Sequence, residues 1–129
     1  MSDRINIILT AGTREKLQMA AMVASVGAVS GSEVVVFVSM NALAHFIKGK
    51  APAVPSEGAF GDLLVSRKAP EFKALFESAV ELGDAKIFPC SMAVDLLALK
   101  QEDLESYVGE PMGLTKFLED AAQGQMYTF

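Results

Sequence analysis

One cysteine, one histidine and no run of basic residues narrow the chemistry of this 129-residue chain at the outset. A single cysteine, Cys90, cannot close an internal disulfide. Without a second cysteine or a histidine cluster there is no zinc-type ligand set, so neither a metal nor a cofactor is expected. Net charge is −5, with 16 acidic against 11 basic side chains. That balance argues against a nucleic-acid surface. It suits a small-molecule site or a partner carrying a basic patch. Apolar residues make up 51% of the chain, yet the longest apolar run falls well short of the roughly 18 residues that a membrane span needs. The opening MSDRINIILT lacks the long apolar region and small-residue cleavage site of a signal peptide. A cytoplasmic protein with no membrane segment is the expectation. No repeat or low-complexity tract interrupts the chain, and its length fits one domain over residues 1–129 with a real core.

What is present centres on Leu82–Leu99, LGDAKIFPCSMAVDLLAL. Ala85–Phe88 is a short apolar run entered through the turn residues Gly83 and Asp84, and it reads as a strand. Pro89 denies its predecessor a helical conformation and is common near helix starts, so the strand should end at about Phe88. Behind it Met92, Leu96, Leu97 and Leu99 recur at helical spacing. Cys90 therefore falls between a strand end and a helix start. In an open parallel α/β sheet, that edge is where ligands bind. The plainer reading of a lone cysteine is a small buried hydrophobe.

The rest of the chain alternates strands with helices. Ile5–Leu9 and Glu33–Val38 are nearly continuous apolar runs, as expected of strands covered on both faces. Between them, Thr10-Ala11-Gly12-Thr13 forms a turn, with Thr10 or Thr13 available to cap the following helix. One glycine followed by threonine is neither a Walker loop nor GxGxxG, but it leaves phosphate binding as a candidate role. From Arg14 to about Ser30 the helix is apolar nearly all round, so its outer face should meet another subunit. Ser39-Met40-Asn41 closes the second strand at the same edge as Cys90, and Asn41 can cap a short helix to about Lys48. His45 on that helix reads as a packed or surface side chain. Residues 49–69 read as a long loop, of the kind that serves as a lid or an interface. Residues 70–82 and Leu114–Ala122 are amphipathic helices, and Gly124 ends the second. A short strand is expected around Tyr107 and Val108, and Gln125–Phe129 is the last. Five strands alternating with helices predict a three-layer α/β/α fold around a mainly parallel five-stranded sheet.

Taken together, the segments TAGTREKLQMAAMVAS, GSEVVVFVSMNAL, KIFPCSMAVDLLALKQEDL and GLTKFLEDAAQGQMYTF resemble the DsrE/DsrF-like family of sulfur-relay proteins, in particular its single-domain, peroxiredoxin-like branch. The cysteine block is the most specific of the four. The resemblance implies that Cys90 takes up sulfane sulfur as a persulfide and passes it to a partner, often a TusA-like carrier. It also implies a five-stranded three-layer fold and homo-oligomers, trimers or larger. Many relatives carry an aromatic–glycine pair where this chain has Ser39-Met40-Asn41-Ala42, so its pocket should differ. Some carry a second cysteine. With only one, the sulfur must leave to another molecule, which disfavours a self-resolving peroxidase.

A sulfur carrier needs a thiolate, and a free thiol ionises near pH 8.5. A helix N-terminus typically contributes only about 0.3–1 kcal/mol toward the anion, so a cation or further donors should assist. Arg67, Lys68 and His45 are the candidates, with Arg67 and Lys68 favoured because a loop can fold over the site. Thr10, Gly12, Thr13, Met40, Asn41, Ser91 and Met92 complete the expected binding residues around Cys90. Thiosulfate, tetrathionate, polysulfide or a carrier persulfide are the possible donors. Two other readings stand beside sulfur relay. One is a non-catalytic oligomeric scaffold with Cys90 at a subunit contact. The other is a flavodoxin-like nucleotide or anion binder using Thr10–Thr13.

Overall fold

The computed structural model describes residues 3–49 and 51–129. Strand β1 (Arg4–Leu9) runs into helix α1 (Arg14–Val29), and β2 (Glu33–Val38) into the single turn α2 (Met40–Leu43) and a 3-10 turn at Ala44–Phe46. Helices α3 (Ala59–Ser66) and α4 (Phe72–Gly83) precede β3 (Lys86–Pro89). Then come α5 (Ser91–Leu96), α6 (Leu114–Ala121) and β4 (Gln125–Thr128). Among the described residues the four strands pair in parallel, in the order β3-β2-β1-β4. The expected three-layer α/β architecture holds, with four strands in place of five.

The missing strand has a physical cause. Val108 N–H turns back onto the Glu105 carbonyl at 3.0 Å, so Tyr107 and Val108 lie in a turn. The chain then meets the free edge of β3, where Gly109 N–H donates to Ile87 O at 2.7 Å and Met112 N–H to Pro89 O at 2.9 Å. Pro111 between them has no N–H to give, so the contact stays an isolated bridge, Cys90 to Met112, rather than a ladder.

Both faces of the sheet are covered, as the apolar runs of β1 and β2 require. On one face α1 packs beside α4. Gly27 lies so close to the sheet that a Cβ there would stand 2.8 Å from Ile5 Cδ1. On the other face Phe117 of α6 stacks on Phe37 of β2 at 5.0 Å, and Asn6 Nδ2 donates to the Ala121 carbonyl. Ile7, Leu9, Val34, Val36 and Phe117 are all 0% exposed. Burying a side chain of this kind contributes about 1.5–3 kcal/mol relative to leaving it in water.

Three expectations about helix boundaries need correction. Residues 49–69 are not all loop, because α3 occupies eight of them; Lys50 lies outside the described residues. The N-terminus of α3 is capped from a distance. The Glu15 carboxylate accepts from the N–H groups of Glu57, Gly58 and Gly61 at 2.8, 2.9 and 3.0 Å. Asn41 does not cap its helix, since Ser39 precedes the first turn and Asn41 lies within it. The helix after Cys90 stops at Leu96, and Ala98 turns the chain at φ 53°.

Candidate functional site

Register places three strand ends in one line, because Leu9 pairs with Val38 and Val38 with Pro89. The turns Thr10–Thr13, Ser39–Asn41 and Cys90–Met92 therefore share the C-terminal edge of the sheet. They are stitched together by backbone. Ser39 N–H donates to Leu9 O at 2.9 Å, Ala42 N–H to Thr10 O at 3.1 Å, and Cys90 N–H to Val38 O at 2.8 Å.

Cys90 immediately precedes α5, with extended backbone and its carbonyl accepting from Val94 N–H at 2.9 Å. Its neighbour Ser91 spends its N–H on Met112 O at 3.0 Å and is half-buried. Met92 is 50% exposed, whereas Cys90 is only 7% exposed and packs with the core. The thiol thus sits at the ligand-binding edge but under cover.

At the same edge lies a hollow of about 400 Å³ whose lining includes Gly12, Thr13, Met40, Asn41, His45 and Leu97 but not Cys90. Four of the seven binding residues expected at this edge converge there: Gly12, Thr13, Met40 and Asn41. Gly12 is required by proximity, since a Cβ on it would stand 2.8 Å from the Asn41 carbonyl and 3.1 Å from His45 Nε2. Met40 holds φ at 51°, in the left-handed region that non-glycine residues avoid. Thr13 precedes α1, but its hydroxyl donates to Glu57 Oε1 at 2.6 Å rather than capping the helix.

Thr10 is brought to the edge but not into the hollow. Its N–H donates to Phe129 O at 2.8 Å, its hydroxyl to the same oxygen at 3.1 Å, and Ala11 N–H joins at 3.4 Å. Three of the donors that a phosphate would use at Thr10–Thr13 are therefore taken by Phe129, and the Thr13 hydroxyl by Glu57.

Arg67 and Lys68 are not brought to the cysteine. Lys68 lines a hollow with Arg14, Gln18 and Phe72, and Arg67 another with Phe60, Leu63 and Leu64. Cys90 lines neither. Their carrier α3 is held to the start of α1 by Glu15, on the face away from α6.

His45 is packed, one of the two readings the sequence offered, and its lowered pKa does not suit it to the role of a cation beside the thiol. It is 5% exposed, with Nδ1 3.3 Å from the Pro52 carbonyl. Burial pushes its pKa below the ordinary value. The Pro52 and Gly12 backbones oppose that shift, while the charges of Lys73 and Arg14 add to it. The buried, neutral imidazole becomes a polar group in a mostly apolar wall. Its only sequence signal was the proline pair at Pro52 and Pro55, whose strap folds over it.

The fold and the site define a parallel α/β protein with one cysteine where a strand hands over to a helix at the C-terminal edge of the sheet. The family model of the DsrE/DsrF/DrsH-like proteins matches residues 59–129, which include that junction, and the chain belongs to this family, which is linked to sulfur relay. Its fold is similar to that of the YchN protein of Escherichia coli, with a TM-score of 0.65, 15% identity and full coverage of both chains. It is also similar to MTH1491 of Methanobacterium thermoautotrophicum, described as a protein of unknown function, with a TM-score of 0.63 and 9% identity over 99% of this chain and all of that one. No curated protein matches the sequence. Among the described residues, no helix is long and apolar enough to cross a membrane.

Proposed function

We propose that the protein is a cytoplasmic sulfur-relay carrier in which Cys90 accepts sulfane sulfur and hands it to a TusA-like partner protein. The supporting observation is the position of the only cysteine, at the β3–α5 junction on the C-terminal edge of the sheet, in a chain of this family. In the first step the Cys90 thiolate attacks the sulfane sulfur of a donor R–S–S⁻. A Cys90 S–S bond forms, the donor S–S bond breaks, and R–S⁻ leaves. With tetrathionate the adduct is a thiosulfonate and the leaving group thiosulfate. In the second step a partner thiolate attacks the outer sulfur, and Cys90 thiolate is released. Sulfur moves between thiols with no external oxidant or reductant.

Self-association belongs to the same proposal. The outer face of α1 exposes Met19, Met22, Val26 and Val29 at 46–78%. Together with Ile5 and Tyr127 it borders a hollow of about 500 Å³. An apolar face of this extent beside the exposed strand β4 suits burial against further copies of the chain.

One observation favours a second reading. A thiol 7% exposed is also what a structural cysteine in an oligomeric scaffold looks like. Intact-protein mass spectra of wild type and Cys90→Ser, after incubation with polysulfide, thiosulfate or tetrathionate, separate the two. A gain of sulfur or of a thiosulfonate on wild type alone is the expected result. Folded protein that takes up nothing from any donor makes Cys90 structural and leaves the scaffold reading.

A further inference from the structure

We propose that the hollow between the start of α1, the end of α3 and the start of α4 is a binding site for a compact oxyanion of the phosphate or sulfate type, free or as the head group of a small molecule. The site is separate from Cys90 and does not depend on the sulfur-relay reading.

The argument begins with charge. In a chain of net charge −5, Lys16, Lys73, Lys116 and Arg4 each pair with a carboxylate. Arg14, Lys48, Arg67, Lys68, Lys86 and Lys100 pair with none among the described residues, and of these Arg14 and Lys68 alone line one hollow together, of about 260 Å³. A guanidinium has five N–H donors. Arg14 commits one, from Nη2 to the Val54 carbonyl at 3.3 Å. Gln18, 8% exposed, lines the same hollow; its Nε2 donates one hydrogen to Pro70 O at 3.0 Å, and a ligand in the hollow could accept the second.

Backbone and volume agree with that assignment. Lys68 sits at φ 54°, where its N–H donates to Val65 O and the next N–H to Leu64 O to finish α3. Glycine is the residue this conformation favours, so Lys68→Gly removes the side chain while suiting the backbone. At about 260 Å³ the hollow has room for a tetrahedral oxyanion and a small substituent. The carboxylate of Glu71 also borders it without pairing with either cation. It selects against high anionic charge and supplies a gain-of-binding test.

The experiment is isothermal titration of the full chain with inorganic phosphate, sulfate and glycerol phosphate at constant ionic strength, with chloride as the control. Saturable binding is expected in wild type and equally in Cys90→Ser. Arg14→Gln and Lys68→Gly should each weaken it at least tenfold, and Glu71→Gln should tighten it. Lys68→Gly suits its left-handed backbone, so its loss of binding is not a loss of fold. Tighter glycerol phosphate than phosphate identifies a head group; the reverse identifies the free anion. Absence of saturation with all three probes, or binding unchanged in both cation variants, overturns the proposal. Neither result bears on sulfur uptake by Cys90.

Discussion

Replacing Gly12 by alanine probes the site edge with the least chemistry. The added Cβ would stand 2.8 Å from the Asn41 carbonyl oxygen and 3.1 Å from His45 Nε2. The first neighbour is backbone, fixed on one side by the Ala42 N–H bond to Thr10 and on the other by the single turn α2. It must retreat by several tenths of an ångström to reach ordinary contact. Overpacking of this sort typically costs about 1–3 kcal/mol. With an unfolding entropy of about 2.1 cal/mol/K per residue, a chain of this length loses roughly 4–11 °C of Tm. Thermal unfolding followed by circular dichroism reads the shift. In a His45→Ala background the penalty should shrink without vanishing, because the closer neighbour is the carbonyl. A Gly12→Ala protein melting within about 1 °C of wild type would refute the packing described here.

Three further outcomes follow from the same geometry. Because burial holds His45 below its ordinary pKa, the unfolded chain takes up a proton first. Stability is therefore complete above about pH 6.5 and lost as pH falls through the lower folded value; urea unfolding between pH 7.5 and pH 5 should show the decline, and His45→Gln should reduce it. Glu15→Gln weakens the cap that holds α3, so amide exchange at Glu57, Gly58 and Gly61 should quicken while the β2 amides stay protected. The Glu15 carboxylate is held below its ordinary pKa chiefly by the Glu57 N–H, so acid titration should release the same three amides in wild type. Val26→Lys places a charge on the outer face of α1, where the wild-type side chain is 65% exposed; light scattering should report a smaller assembly, and an unchanged mass would remove α1 from the interface.

The elements legible in the sequence are those whose pattern is local. β1 and β2 announce themselves as apolar runs because both of their faces are covered, and α4 does so by helical spacing. Cys90 at a strand-to-helix junction followed from the apolar run Ala85–Phe88, from Pro89 and from the helical spacing behind it. What was not legible depends on partners distant in the chain. Helix α3 is hidden in a segment rich in proline and glycine because its cap comes from Glu15, more than forty residues earlier. The fifth strand fails at the missing N–H of Pro111 after a turn has already formed at Glu105–Val108. The turn at Thr10 looked open to phosphate only because Phe129, which occupies its donors, lies at the far end of the sequence. A loop over residues 49–69 would leave Arg67 and Lys68 free to swing over the cysteine. An ordered α3 commits them to the α1 side.

On the sulfur-relay reading, the burial of Cys90 has a chemical use as well as a cost. A persulfide on an exposed thiol is open to any passing thiolate, and each such encounter discharges the sulfur to the wrong acceptor. Cover over the thiol, which is 7% exposed, reduces that loss while leaving transfer possible when a specific partner displaces it. The elements around Cys90 suit such a cover: α5 is six residues long, Ala98 just beyond its end is in a strained left-handed conformation, and so is Met40 across the edge. Segments this short, ended by non-glycine residues at positive φ, open at a lower free energy than the strands beneath them. The exposed apolar side chains Met40, Met92, Leu96 and Leu97 offer a partner surface to engage as it moves them. Specificity then resides in the docking that uncovers the thiol rather than in the thiol itself, which is why one cysteine suffices.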